Sequence, residues 1–186
     1  MIMCSYRRIA FTARNLCARS LPEQIERLAG KIDAVVVREK DLTESEYEAL
    51  AQTVLMVCQP LSIECVLHTF AGAARRLGCD TLHVPLPLLQ KRGRPSGFMR
   101  VGTGVHSLEE VARAQNLGAD YLVASHIFAT GCKEGQPARG LAFLSEVVEA
   151  STVPVYALGG IVESNEALVV AAGAQGSCRM SDYMRM

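Results

Sequence analysis

The sequence predicts a single-domain α/β fold, a compact (β/α)8 TIM barrel that spans residues 1–186. Short runs of apolar and β-branched residues alternate with amphipathic segments along the whole chain. About eight such units occur, each close to the size of a βαβ repeat. No Gly-rich turn follows the first strand, which disfavours the alternative of a doubly wound open sheet. Because the last strand lies close to Met186, the eighth helix is expected to be short or missing.

The first half of the chain contains four of these units. Apolar, β-branched runs predict strands at residues 9–12, 34–38, 63–68 and 81–84. Helical spacing of apolar residues predicts helices at 21–29, 44–57 and 71–77. The basic cluster at residues 90–94 is predicted to be a solvated loop and not a nucleic-acid patch.

The second half repeats the alternation, with predicted strands at residues 100–105, 121–124, 153–158 and 177–180. A helix is expected to begin at Ser107 and to end at Gly118, since Ser107-Leu-Glu-Glu110 has the pattern of a capping box. Two further helices are predicted at 141–150 and 163–172, and Gly173 ends the second.

Composition excludes several classes of partner. Formal net charge is zero, so no basic excess points to nucleic acid. No apolar run approaches the roughly 18 residues of a membrane span, and the first residues lack the charge order of a signal peptide. The seven cysteines form no Cys-x-x-Cys pair, which argues against zinc and redox motifs. A reduced, cytoplasmic protein is therefore expected.

The loop at residues 125–140 is the strongest functional signal. His126 follows the apolar strand 121–124 almost at once, and a Gly-rich segment with Lys133 and Arg139 comes next. In parallel α/β folds the ligand lies beyond the carboxyl ends of the strands. His126 is thus placed where chemistry is expected, beside a cationic segment that could close over an anionic ligand.

A second site signal is the glycine pair Gly159 and Gly160. These residues end the apolar strand 153–158 and precede a helical segment. That arrangement is typical of a phosphate-binding turn, because glycine lets the backbone N–H groups approach an anion closely. A simple tight turn is the alternative.

The order and spacing of several motifs resemble the thiamine-phosphate synthase/TenI superfamily, which consists of compact (β/α)8 barrels of thiamine biosynthesis. The resemblance covers nearly the whole chain and is strongest from Arg100 onward. The motifs are Val36-Val-Arg-Glu-Lys40, Val105-His-Ser107, Gly118-Ala-Asp-Tyr121, His126-Ile-Phe-Ala-Thr-Gly-Cys-Lys133, Arg139-Gly140, Ala157-Leu-Gly-Gly-Ile161 and Ala171-Ala-Gly-Ala-Gln-Gly176.

The superfamily contains two kinds of protein. The synthases couple a pyrimidine diphosphate to a thiazole phosphate, with Mg²⁺ held by carboxylates after the third and fourth strands. Here those strands run into His68-Thr-Phe70 and Val84-Pro-Leu-Pro-Leu88, without a carboxylate. TenI-type proteins share this lack, and the loop at 126–133 is close to theirs. The resemblance therefore implies a thiazole tautomerase that uses neither metal nor organic cofactor.

Two alternatives stay open. One is a thiamine-phosphate synthase with altered metal ligation. The other is a non-catalytic protein that binds a phosphate of the thiamine pathway for regulation. A homodimer is a further expectation, because short barrels of this kind often pair.

The resemblance also assigns roles to individual residues. His126 matches the family's catalytic histidine, which would take and return a proton during the aromatising shift. The expected partner is a small-molecule thiazole phosphate. Its anionic groups would be bound by Arg38, Lys40, Lys133, Gly159, Gly160, Met180 and Ser181.

The chain departs from the family pattern at three places. Ser125 and Ala129 replace a glycine and a glutamate of the loop, and Arg179 lies in a strand expected to be buried. A buried, unpaired charge is costly. Arg179 is therefore expected to reach Asp182 or the substrate phosphate. His68 and His106 follow strands and could line the pocket, but each is interpreted as a hydrogen-bonded structural residue. His83 lies within a strand and is interpreted as inward or edge packing.

Overall fold

Eight parallel strands close into a barrel in the computed structural model, which describes residues 6–131 and 135–186. Each strand pairs with the next along the chain, and the last pairs with the first through Ile9 and Cys178. The strands are β1 Arg7–Phe11, β2 Ala34–Val37, β3 Glu64–His68, β4 Thr81–His83, β5 Arg100–Val105, β6 Tyr121–Ser125, β7 Val155–Leu158 and β8 Gly176–Arg179. The predicted TIM-barrel fold is confirmed.

Helices surround the barrel, one after each strand. They are α1 Leu21–Arg27, α2 Glu44–Cys58, α3 Ala71–Arg76, α4 Leu86–Arg92, α5 Leu108–Asn116, α6 Gly140–Ala150, α7 Glu166–Ala171 and α8 Ser181–Met184. Single 3-10 turns lie at Arg14–Leu16 and Glu163–Asn165. No helix in the described part of the chain combines the length and the apolar character needed to cross a membrane.

Strand residues alternate between the barrel interior and the helical layer, as the period of two requires. The interior holds a compact cluster of apolar side chains, including Phe11, Val36, Val123 and Cys178. A larger core lies between the strands and the helices. The main functional surface is consequently the end of the barrel where the strands finish.

Helix α4 differs from the sequence expectation, whereas α8 agrees with it. Helix α4 covers part of the basic cluster that was predicted to be a loop; Pro85 precedes it and a proline lies in its first turn, where a missing N–H costs nothing. The expectation of a short eighth helix is confirmed by the four residues of α8.

The start of α5 also differs in detail. Ser107 caps the helix by accepting a hydrogen bond from the Glu110 N–H at 3.2 Å. The Glu110 carboxylate does not complete the predicted box; it accepts from the His106 N–H at 2.6 Å. The N-cap prediction is confirmed, and the reciprocal bond is shifted by one residue.

Arg179 is buried on the outer side of β8, and it finds two acidic partners. Its guanidinium contacts Glu166 at 2.7 Å and Asp182 at 3.3 Å. Glu166 also accepts from Ser177 at 2.6 Å and from Arg8 at 3.3 Å. The expected contact with Asp182 is therefore present, and the stronger partner is Glu166, which sequence reasoning did not identify.

Candidate functional site

A cavity of about 770 Å³ opens at the carboxyl ends of the strands, and we call it the mouth cavity. Its volume lies within the roughly 300–1,000 Å³ range of small-molecule sites. Seven of the eight predicted site residues line it: His126, Arg38, Lys40, Gly159, Gly160, Met180 and Ser181. Lys133, the eighth, lies outside the residues that the structure describes.

His126 follows the last residue of β6 directly and is buried, with 5% of its surface exposed. Its Nε2 lies 3.4 Å from the carbonyl oxygen of Gln136. Its Nδ1 has no hydrogen-bond partner among the described residues. His126 lines the mouth cavity, and its Nδ1 is a buried ring nitrogen whose hydrogen-bonding capacity the described residues leave unused.

The chain after His126 is tied to β7. Ile127 and Phe128 donate backbone hydrogen bonds to Leu158 and Gly159 at 3.0 and 2.9 Å. The carbonyl of His126 itself accepts from the Arg139 N–H at 3.0 Å. The imidazole is therefore positioned by backbone contacts on both sides of the loop.

Gly159 and Gly160 permit this close approach. Both have positive φ, +108° and +64°. A Cβ atom at Gly159 would lie 2.8 Å from the Cα of His126, and one at Gly160 would lie 2.8 Å from the Cβ of Phe128. The pair thus has a packing role next to His126, in addition to the phosphate-binding role expected from the sequence.

Arg38 and Lys40 place positive charge on the opposite side of the mouth, just beyond β2. Glu39 lies between them in sequence but is held away from the cavity. Its carboxylate accepts from Thr12 Oγ1 at 2.6 Å and from Arg14, through the backbone N–H and the guanidinium, each at 3.0 Å. With the intervening carboxylate neutralised elsewhere, this side of the cavity is suited to an anion.

His68 and His83 end β3 and β4 and stack inside the mouth, with ring centroids 5.4 Å apart. Thr69 Oγ1 lies 2.6 Å from Nδ1 of His68, and Tyr121 Oη lies 3.2 Å from Nδ1 of His83. Burial is the main cause that lowers the pKa of His68 to about 2 and that of His83 to about 3, and the positive charge of Arg38 contributes to both shifts. Both rings are therefore neutral at ordinary pH.

His68 and His106 are hydrogen-bonded, as expected, and both also line the mouth cavity, which was the alternative for each. His83 was expected only to pack within its strand, but it lines the cavity as well. Its position at the end of β4 was the signal that could have placed it there. His106 contacts Glu110, with Nδ1 3.1 Å from the carboxylate, and its side chain is 40% exposed.

The donor atoms of the mouth do not fit Mg²⁺, which the resemblance implies for the coupling reaction. This ion prefers several oxygen ligands, chiefly carboxylates and water. The carboxylates that line the cavity, Glu110 and Asp182, are bonded to His106 and Arg179. Within residues 6–131 and 135–186, no group of three or more His, Cys, Asp or Glu side chains could hold a metal ion.

A closed parallel barrel whose mouth cavity is lined by cationic side chains, a glycine turn and a buried histidine is typical of α/β-barrel enzymes. The chain matches the family described as thiamine monophosphate synthase over residues 9–182. It belongs to that family.

Individual relatives agree with this assignment. The chain is 30% identical to a thiamine-phosphate synthase of Syntrophomonas wolfei, covering 99% of this chain and 91% of the relative. It is 34% identical to a thiamine-phosphate synthase of Listeria monocytogenes, covering 84% and 78%. A solved thiamine phosphate pyrophosphorylase from Pyrococcus furiosus superposes with a TM-score of 0.83 at 25% identity, covering 97% of this chain and 88% of that structure.

The comparisons confirm the predicted superfamily, and they also indicate which of its two reactions the relatives are named for. The curated relatives described here are named for the coupling reaction, which was the stated alternative, and not for tautomerisation. Their names thus support the synthase alternative better than the tautomerase expectation.

Proposed function

We propose that this chain is an enzyme of thiamine biosynthesis whose mouth cavity binds a thiazole phosphate. The family match over residues 9–182 supports the pathway. Two features of the cavity support the ligand: a glycine turn on one side and two cationic side chains on the other. Both the coupling reaction and the tautomerisation use a thiazole phosphate, so this part of the proposal holds for either.

The ligand would lie across the mouth. Its phosphate would be held by backbone N–H groups near Gly159 and Gly160 and at the end of β8, where Met180 and Ser181 line the cavity. A second anionic group would face Arg38 and Lys40.

Lys133 follows His126 in the same loop, and its sequence position suits a cation that closes over the ligand. We assign it this role from the sequence, because it lies outside the described residues.

Coupling is the candidate that the names of the relatives favour. That reaction expels pyrophosphate, whose charge a divalent metal neutralises in the family. The strand ends that would supply carboxylates carry His68 and His83 instead, and both rings are neutral. The donor set is therefore unsuited to this reaction, although the cavity is large enough for two small substrates.

Tautomerisation is the function that the geometry supports best. The observation that carries it is the buried His126, whose Nδ1 faces no protein partner among the described residues. Imidazole would remove the proton from the ring carbon C2 and return a proton to the exocyclic carbon. The substrate thus gains and loses one proton, its ring becomes aromatic, and no metal or cofactor is consumed.

Two assays on the same protein separate the candidates. Aromatisation of the carboxythiazole phosphate is followed by ultraviolet absorbance in the presence of a chelator. Pyrophosphate release is followed with Mg²⁺ and both coupling substrates. We expect metal-free aromatisation, slowed about a hundredfold or more in His126→Asn.

His106→Asn is the matched control, because His106 lines the same cavity but is bonded to Glu110. It should keep nearly the wild-type rate. Mg²⁺-dependent pyrophosphate release without aromatisation would establish coupling instead. Binding of the thiazole phosphate with neither reaction would leave a non-catalytic phosphate-binding protein.

The remaining sequence predictions belong to this proposal. We place the enzyme in the cytoplasm, acting on small molecules and not on nucleic acid. A homodimer stays a prediction, which analytical ultracentrifugation would test.

A further inference from the structure

A second cavity of about 560 Å³ lies outside the barrel, between α3 and α4, and we call it the outer cavity. None of its lining residues lines the mouth cavity. The two helices beside it are short, with six residues in α3 and seven in α4. The two cavities therefore lie at different places in the fold.

The inner wall of the outer cavity is apolar. It consists of Phe70, Leu82, Val84 and Leu88. Leu82 and Val84 are buried, at 0% and 4% exposure, whereas Phe70 and Leu88 are half-buried. An aromatic ring beside branched aliphatic side chains is suited to a flat apolar body.

The rim of the outer cavity carries net positive charge. Arg75 and Arg92 lie there, and both are exposed. The one acidic residue of the lining, Glu44, is already bonded to Arg76 at 3.1 Å and to the Ala73 N–H at 3.1 Å. Arg75 already donates to the Ser96 carbonyl through Nε and Nη2, at 3.2 and 2.8 Å. An anionic group on a bound molecule would therefore meet the Arg92 guanidinium and the remaining N–H groups of Arg75.

We infer that the outer cavity is a binding site for a small organic anion, with a flat apolar body and one carboxylate, sulfonate or phosphate group. The volume, the apolar wall and the two arginines together specify this class. The inference does not depend on which reaction the mouth cavity supports.

The outer cavity is connected to the mouth cavity by contacts between residues of the two walls. Thr69 lines the outer cavity, and its Oγ1 lies 2.6 Å from Nδ1 of His68 in the mouth. The ring of Phe70 packs against that of Tyr47, with ring centroids 4.8 Å apart. The Tyr47 hydroxyl accepts a hydrogen bond from the His68 N–H at 2.7 Å and donates one to the Val37 carbonyl at 2.6 Å. A molecule in the outer cavity would therefore act on the ends of β2 and β3.

The test uses naphthalene-1-sulfonate as the probe, titrated into the purified chain by calorimetry. Arg92→Ala should weaken binding by about tenfold, the usual effect of losing one charge-assisted contact. Lys91→Ala is the matched control, since Lys91 is the preceding residue of α4, is exposed and does not line the cavity. It should change the Kd by less than about twofold.

Leu88→Trp fills the cavity and should abolish binding. The chain contains no tryptophan, so the emission of this variant reports whether it is folded and buried at that position. Arg38→Ala identifies the site, because it should weaken the probe only if the probe binds in the mouth. Three results would overturn the inference. They are no binding of the probe to the wild type, weaker binding in Arg38→Ala, and equal Kd values in wild type and Arg92→Ala.

The connection to the mouth is tested by nuclear magnetic resonance. Saturating probe should shift the resonances of Thr69 and His68 in the wild type and leave them unchanged in Leu88→Trp. If the probe binds but the resonances of Thr69 and His68 do not shift, the binding site is supported and its connection to the mouth is refuted. A change of oligomeric state in Leu88→Trp, with no probe binding in the wild type, would assign the cavity to a protein interface instead.

Discussion

Lowering the pH from 7 to 5 should destabilise this protein through His68 and His83. The two rings stack at 5.4 Å in the mouth, with 7% and 4% of their surfaces exposed. Burial is the main cause that lowers their pKa values, to about 2 and about 3. In the folded protein both stay neutral across this pH range.

The sign and size of the effect follow from proton uptake. An unfolded chain binds protons on these histidines below a pKa of about 6.5, whereas the folded chain does not until far lower pH. Because the unfolded state binds more protons, stability falls as pH falls through 6.5 and continues to fall toward the folded pKa values. Between pH 7 and 5 each histidine costs about 2 kcal/mol, or about 4 kcal/mol for the pair.

Urea unfolding followed by circular dichroism measures this loss. Wild type, His83→Asn and the double variant His68→Asn/His83→Asn are each compared at pH 7 and pH 5. Every removed histidine should reduce the pH-dependent loss by about 2 kcal/mol, whatever the substitution itself costs. The interval from pH 7 to 8.5 is the control, because each histidine contributes only about 0.2 kcal/mol there. Equal losses in wild type and double variant would refute the reasoning.

Three further predictions address the mouth and its support. Arg38→Ala should raise the KM for a thiazole phosphate by about tenfold with a smaller effect on kcat, measured by steady-state kinetics, and a change in kcat alone would contradict it. Gly159→Ala should lower Tm more than Gly30→Ala. Both glycines have positive φ, but only at Gly159 would an added Cβ atom have neighbouring atoms within 4 Å. Equal decreases in Tm would contradict the packing role of Gly159. Arg179→Ala should cost about 3 kcal/mol in urea unfolding by leaving Glu166 short of a partner, and Arg179→Met combined with Glu166→Gln should restore most of it.

The barrel was largely predictable because its signal is local. Strand β5 begins and ends where the sequence pattern places it, and the other strands differ by one or two residues at an end. Helix α4 was missed because its first turn contains prolines, which usually interrupt helices but are tolerated there. The observed ends of strands and helices differ from the predicted ends where backbone hydrogen bonding, and not composition, determines the last residue.

The site was predictable only where position along a strand determined it. His126 and the glycine pair follow strands β6 and β7, so the topology alone brings them to one edge. The partner of Arg179 was not predictable from the sequence, although Glu166 lies in α7, the helix that directly precedes β8. The pairing depends on how α7 packs on β8, and the spacing of residues along the chain does not specify that packing.

The mouth cavity shows how one barrel can hold different chemistry. His68 and His83 each occupy the last residue of a strand, so their backbones are fixed by the barrel whereas their rings face the cavity. Exchanging carboxylates for neutral imidazoles at such positions removes negative charge and leaves the strand pairing intact. The match over residues 9–182 identifies the family. Under the proposed function, the residues at these strand ends decide between its reactions.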